Sequence, residues 1–405
     1  MSTPQAGSGW PRAPGLFGDR LYYSAPELDD WEATLVASEE GGRLLELDRT
    51  LFYPEGGGQP CDLGSLDGLP LLEVVEIEGR ILHRLASPLA KSPSDSVALR
   101  LDRDRRRDHT EQHSAQHLLS GIASRERGFQ TKSFHLGPET STIDLEVDGL
   151  DEAALSALER EANAAIGRNL AFILHACGPE EAALLPLRKA PPAEEKLIRI
   201  VEIEGLDFSP CCGTHVRSAL TLRLVKILSG ERYKGMTRLS FVAGGRALAA
   251  FDRLHRSARA ASRILSAPPE DLGPGAEGLS LRLREAHSSA KLLLKRLVSL
   301  EIEGALASGG PGRPLSITLE GCGPEGLDEA LAGFASRKLT GLAVLPELHS
   351  VAAGGLLPET RLALAAAALA LGGRGGGGKT AYRAAFPGKE PFEAFLAAVR
   401  TILEP

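Results

Sequence analysis

Short runs in which apolar and polar residues alternate occupy the start of the chain, at 33–36, 43–47, 71–77 and 97–101, each bounded by Gly, Pro or Asp. Closely spaced strands with tight turns predict a small barrel or sandwich over residues 1–104. The pattern then changes. Residues 108–124 and 151–166 carry helical spacing, the second with Asp151 as N-cap and Leu155, Leu158, Ala162 and Ala165 on one side. Strands are predicted at 142–147, 198–203, 221–228 and 237–242, so residues 105–245 form an α+β domain. Residues 246–306 read as helical, interrupted at Pro268-Pro269 and around 273–278. Within them Leu279, Leu283, Ala286, Ala290, Leu293, Leu297 and Leu300 recur at three and four, a stripe suited to a helical hairpin or a dimer seam. Residues 307–405 read as a small α/β domain, with strands at 315–319 and 341–345 and helices at 362–369 and 391–403. The class is α+β: N-terminal barrel, central α+β domain, helical linker, C-terminal α/β domain.

A chain of 405 residues is too long for one ordinary core and suits this division. It lacks an apolar run of 18–20 residues with spanning character, so no membrane segment is expected. Residues 1–18 contain Pro and Gly without a basic-then-apolar signal pattern, which suggests a flexible lead-in to a cytoplasmic protein. Five cysteines, two of them adjacent, do not suggest a disulfide framework. They fit reduced thiols, some binding metal. The net charge of −7 is not a nucleic-acid signature. Locally, residues 253–300 carry nine Lys or Arg against four Asp or Glu, and Arg105, Arg106 and Arg107 are consecutive. Such stripes can hold a polyanion or serve only as solvated helix faces.

The candidate chemistry lies in two pairs. His113 and His117 stand one helical turn apart on one face. About a hundred residues later, Cys211-Cys212-Gly213-Thr214-His215 offers thiolate and imidazole in a turn. Zn²⁺ takes Cys sulfur at about 2.3 Å and His nitrogen at about 2.0–2.1 Å, usually with four ligands. His113, His117, Cys211 and His215 make four. The register stays open: His109 with His113 is a second pair, and Cys212 is an alternative to Cys211. A third motif, Gly373-Arg374-Gly375-Gly376-Gly377-Gly378-Lys379-Thr380, fits the phosphate-loop pattern. Its context does not, because an alanine-rich helical segment precedes it and no Asp follows Thr380. Arg374 and Lys379 suit contact with a nucleic-acid backbone instead.

Taken together these motifs resemble the alanyl-tRNA editing proteins of the AlaX family, long form. His113-Ser114-Ala115-Gln116-His117 resembles the His-x-x-x-His helix shared with alanyl-tRNA synthetase editing domains. Cys211 to His215 resembles their Cys-x-x-x-His segment, with Cys212 where glycine is usual. Asp48 to Pro60 resembles the family's glycine-rich motif, and Tyr233 to Leu239 its closing strand. Residues 372–378 and the last helix resemble the synthetase tail, while nothing resembles an aminoacylation core. The resemblance implies hydrolysis of serine or glycine from alanine tRNA at a zinc-containing site. It implies that Thr50 contacts the seryl hydroxyl and that Gln59 lies beside the pocket. tRNA contact would fall to Arg105, Arg106, Arg107 and the basic 253–296 stripe, and a homodimer could form through the linker or tail.

Overall fold

The computed structural model describes residues 18–191, 197–308 and 313–403. The expected lead-in therefore lies almost wholly outside the described residues. The chain divides after Ser257 into two compact units.

In the first unit a one-turn helix, α1 (Leu21–Ser24), precedes six strands: β1 (Asp30–Glu39), β2 (Leu44–Leu47), β3 (Gly64–Leu66), β4 (Leu69–Ile77), β5 (Arg80–Leu85) and β6 (Ser96–Leu101). They close a barrel in the order β1-β2-β5-β4-β3-β6. Strict alternation drives this: in β6, Val97, Leu99 and Leu101 are buried while Ser96, Ala98 and Arg100 face out. The sequence pattern missed β3 and β5. Each joins β4 through a two-residue turn, Asp67-Gly68 (φ 48° and 79°) and Glu78-Gly79 (φ 52° and 81°). Two successive positive φ angles twist the chain as a tight hairpin needs. β5 also carries a polar residue inward. His83 is fully buried; its Nδ1 donates to the Leu45 carbonyl at 3.1 Å, and its Nε2 accepts from Thr50 Oγ1 at 2.7 Å. Burial pushes the His83 pKa down to about 4, against the opposing effect of that carbonyl.

The barrel runs directly into α2 (Arg103–Arg127), capped by Asp102, whose side chain accepts from Arg105 N at 3.0 Å. Then come β7 (Thr131–Leu136), β8 (Ser141–Leu145), α3 (Glu152–Gly167), β9 (Phe172–Cys177), α4 (Pro179–Ala182), β10 (Ile198–Ile203), β11 (Asp207–Pro210), β12 (Val225–Tyr233) and β13 (Met236–Ala243). One antiparallel sheet runs β12-β13-β8-β7 and a smaller one β11-β10-β9. Asp151 caps α3 as expected, accepting from Ala154 N at 2.8 Å. Leu155, Leu158, Ala162 and Ala165 enter a core shared with Leu118, Leu119 and Ile122 of α2 and with Ile143, Val201 and Phe241 of the sheets. The expected strand at 221–228 starts late, because residues 219–222 form a 3₁₀ turn.

Arg106 pins the barrel to α2. Its Nε lies 3.1 Å and 3.0 Å from the two oxygens of Asp62, and its Nη2 donates to the Leu51 carbonyl at 2.7 Å. Asp62 also accepts from Tyr53 N at 2.6 Å, so one carboxylate ties the glycine-rich loop to the helix. Arg106 is therefore buried and engaged, which corrects its assignment to RNA contact. Arg105 donates to the Cys61 carbonyl at 3.0 Å; Arg107 is exposed and paired with Asp104.

α5 (Gly244–Leu265) spans the division between units, and α6 (Leu272–Ser308) opens the second. α6 runs unbroken through residues 273–278, where an interruption was expected. Pro274 falls in the first turn, whose N–H groups have no intrahelical partner anyway. The face of α6 that enters the core is Val298 and Ile302, with Leu294 and Ala305, not the expected stripe. Leu279, Leu283, Leu293, Leu297 and Leu300 are exposed. The tail adds β14 (Leu315–Thr318), α7 (Glu325–Arg337), β15 (Gly341–Leu345), β16 (Ser350–Gly354), α8 (Pro358–Ala370), β17 (Arg374–Gly376), β18 (Ala381–Ala385) and α9 (Lys389–Leu403). The sheet order is β14-β15-β16-β18-β17, with only β14 and β15 parallel. The phosphate-loop pattern lies in the β17–β18 hairpin and leads into a strand, not a helix N-terminus. Arg374 and Lys379 are exposed there. Among the described residues, no helix is long and apolar enough to cross a membrane.

Two stability experiments follow. Asp62→Ala leaves Arg106 buried without its carboxylate and is expected to cost about 3–5 kcal/mol in urea unfolding, only part of it recovered in an Asp62→Leu/Arg106→Leu double variant, which still strands the Tyr53 N–H and the Leu51 carbonyl. His83 is neutral when folded, and the unfolded chain takes up the proton first. Stability therefore falls as pH drops from about 6.5 towards about 4, by about 3 kcal/mol from this group. Urea unfolding across that range should show a shallower acid loss for His83→Gln than for the unsubstituted chain.

Candidate metal centre

Helix α2 sets His113 and His117 on one inward face, with ring centroids 5.3 Å apart. The hairpin of β10 and β11 delivers the chain to Cys211, whose N–H donates to the Arg199 carbonyl at 3.0 Å. His215 follows one turn of loop later, its ring 4.7 Å from that of His113 and 4.5 Å from that of His117. Gly213 makes this approach possible. A Cβ there would sit 2.1 Å from His113 Cε1, so no other residue fits without displacing the ring. Gly58 is constrained in the same way: its φ is +81° and a Cβ would meet the Phe134 carbonyl oxygen at 2.5 Å.

The donor atoms of His113, His117, Cys211 and His215 all lie within 4.8 Å of one another. Cys211 Sγ is 3.4 Å from His113 Nε2 and 3.4 Å from His215 Nε2. A tetrahedral ion with Zn–S and Zn–N bonds of ordinary length has S···N edges of about 3.5 Å. The residues present therefore fit a four-coordinate ion. Cys211, not Cys212, points into the cluster; Cys212 is exposed. His109 is not part of it. That ring is buried beside Arg105 and Arg246, and burial first, then Arg105, brings its pKa down to about 4.

The surrounding groups select the tautomers. Gln59 Oε1 accepts from His113 Nδ1 at 2.8 Å and from Thr214 N at 3.1 Å, while Gln59 Nε2 donates to Thr214 Oγ1 at 3.0 Å. His113 Nε2 is left free to meet an ion. Ser114 Oγ accepts from Val216 N at 3.0 Å and lies 3.4 Å from His215 Nδ1. His117 Nδ1 is buried without a hydrogen-bond partner among the described residues, 3.9 Å from Asp207 Oδ2. Asp207 is held by Arg188, Nε to Oδ1 at 2.9 Å and Nη2 to Oδ2 at 3.2 Å. Burial raises the Asp207 pKa even so. Burial also pushes the Cys211 thiol up, but the adjacent His113 and His215 outweigh it and hold the pKa well below the ordinary value. Burial drives His117 and His215 well down, helped by the neighbouring imidazoles. Thiolate and neutral imidazole are the forms that bind metal.

Arg199 carries no signal in the sequence. It lies over the Tyr23 ring at 4.4 Å and donates to the carbonyls of Cys211 at 2.6 Å and Gly213 at 2.9 Å, clamping the cysteine loop. Beside the cluster opens a cavity of about 490 Å³ whose walls include Gln116, Phe134, Arg188, Lys189, Ser209 and Cys212. Gln59 lies behind the four-donor cluster and orients His113. Thr50 does not line this cavity. Its hydroxyl donates to His83 Nε2 and accepts from Phe52 N at 3.0 Å inside the barrel, so its surroundings do not support the expected contact with a seryl hydroxyl. Arg374 and Lys379 lie in the second unit.

A family model described as "Threonyl and Alanyl tRNA synthetase second additional domain" matches residues 198–240, from β10 through the cysteine loop into β13. The alanyl-tRNA editing protein Aarsd1-A of Xenopus laevis is 32% identical over 274 residues, 67% of this chain and 66% of that protein. Aarsd1 of Mus musculus is 36% identical over 233 residues, 57% of this chain and 56% of that protein. The alanyl-tRNA editing protein AlaX-L of Pyrococcus horikoshii is 33% identical over 250 residues, 59% of this chain and 61% of that protein. The chain thus spans between 56% and 66% of the length of these relatives. Sequence similarity, motif order and the gathering of the four donors agree: the chain belongs to the alanyl-tRNA editing protein family, which is related to alanyl-tRNA synthetase.

Proposed function

We propose that this protein is an aminoacyl-tRNA ester hydrolase that removes serine, and also glycine, from mischarged alanine tRNA, with Zn²⁺ held by His113, His117, Cys211 and His215. The observation that carries the proposal is the convergence of those four donors, three of them (His113, His117 and Cys211) at the wall of a cavity lined by cations. A synthetase pocket built for alanine rejects an added hydroxyl poorly, so correction requires a second site. Zinc bound here would act as a Lewis acid toward the ester carbonyl or a water.

The chain's own residues supply the rest. Gln59 holds His113 in the ligand tautomer, and Arg199 fixes the cysteine loop that carries two of the four ligands. Lys189, exposed at the cavity wall, and Lys132, paired with Glu146 at 2.9 Å, present cations toward the phosphates next to the terminal ribose. Phe134 offers a ring face to the terminal base. Exposed Arg107 in the first unit and Arg374 and Lys379 in the second suit contact with the phosphate backbone of the tRNA. The exposed leucines of α6 support self-association as a homodimer. A cytoplasmic setting follows from the substrate.

Two experiments test this proposal. Purified protein is expected to carry one zinc per chain by elemental analysis, with His117→Ala losing it and Gln59→Ala binding it about 10–100-fold more weakly in chelator competition. Zinc-loaded protein offered seryl-tRNA and alanyl-tRNA, both on alanine tRNA, should release serine preferentially. A protein that binds the tRNA yet leaves both esters intact would be a silent tRNA-binding relative.

A further inference from the structure

A site that must find a hydroxyl needs a polar group that is left unsatisfied when the hydroxyl is missing. Among the hydroxyl and amide side chains along the cavity, all but one are engaged. Gln116 Nε2 donates to Ser120 Oγ at 2.8 Å, Thr131 Oγ1 donates to the same oxygen at 2.7 Å, and Ser133 Oγ donates to Asp144 at 2.6 Å. Thr50, inside the barrel, is satisfied by His83. Ser209 differs. It lines the cavity, its side chain is fully buried, and its hydroxyl has no hydrogen-bond partner among the described residues.

The position follows from strand geometry. Ser209 pairs with Val201 on β10, and residues two apart on a strand share a face. Ser209 therefore shares a face with Asp207, whose carboxylate lies 3.9 Å from His117 Nδ1. That puts the unsatisfied hydroxyl on the metal-centre side of β11, two residues before the ligand Cys211. A buried hydroxyl without a partner is unfavourable, and a ligand that supplies one recovers the loss. An alanyl methyl or a glycyl hydrogen cannot.

Resting on the hydrolase function above, we propose that Ser209 is the residue that determines specificity for serine: its hydroxyl hydrogen-bonds the side-chain hydroxyl of the seryl ester in the cavity. Serine becomes the preferred substrate because it alone among serine, glycine and alanine satisfies this group.

The test is the ratio of kcat/KM for seryl-tRNA to that for glycyl-tRNA, both on alanine tRNA, measured on one preparation of zinc-loaded full-length protein. Fraction folded and metal loading cancel in that ratio. Ser209→Ala is expected to lower it about tenfold, the worth of one neutral hydrogen bond. Ser209→Thr, which keeps the hydroxyl, should hold the ratio closer to that of the unsubstituted protein. An unchanged ratio in Ser209→Ala overturns the proposal, as does a collapse seen in Thr50→Val instead. Parallel loss of both activities together with zinc would make Ser209 part of the metal scaffold and overturn it equally. An unsubstituted protein that cleaves neither ester would defeat the hydrolase function itself, and this assignment with it.

Discussion

One carboxamide ties together three stretches of chain that are remote in sequence. Gln59 leaves the barrel's glycine-rich loop, accepts from His113 on the long helix, and exchanges two hydrogen bonds with Thr214 in the cysteine loop. Its orientation is set, because the Thr214 N–H can only meet the carbonyl oxygen. Every other feature of the site presupposes that junction. The barrel must sit against the helix, which Arg106 and Asp62 secure, and the cysteine loop must lie flat on the histidine rings, which Gly213 permits. A change in the barrel is thereby felt at the His113 ring.

The electrostatics around this junction are unusual for so polar a cluster. Three imidazoles and a thiol are gathered where little water reaches, and burial alone would disfavour every charged form. The arrangement resolves this by mutual influence: His117 and His215 are held toward their neutral forms and the Cys211 thiol is drawn toward its anion. The result is a thiol drawn toward its anion beside two neutral imidazoles, next to a cavity whose wall includes Arg188 and Arg199.

The sequence made the four clustered donors legible because their chemistry has a spacing. Two histidines four apart on a helix and a cysteine four before a histidine are local patterns, and helix and turn geometry convert them into directions. Four barrel strands were legible for the same reason. β3 and β5 were not, since β3 is three residues long and β5 interleaves Arg, His and Arg with its apolar positions. The Asp67-Gly68 turn was the available signal. Arg106 was misjudged because a run of three arginines looks exposed, and only the fold reveals that the middle one meets a fully buried aspartate. Arg199, Asp207, Ser209 and His83 have no local signature; their roles exist only once strands pair. The choice between Cys211 and Cys212 likewise needed coordinates, because adjacent residues in a turn face different ways. The leucine stripe of α6 had the right period but not the buried face, since the tail sheet takes Val298 and Ile302 instead.

The distance along the chain between the two halves of the cluster has a consequence for biosynthesis. His113 and Cys211 are separated by 98 residues. At a translation rate of about 5–20 residues per second, the histidine helix emerges roughly 5–20 s before its thiolate is made. During that interval the nascent chain exposes a bidentate imidazole pair with no sulfur to complete it. Any cation captured then would be held weakly and exchanged readily. With a metal bound as proposed, selection for a softer ion would begin only when the β10–β11 hairpin folds back, long after the barrel's residues have been made.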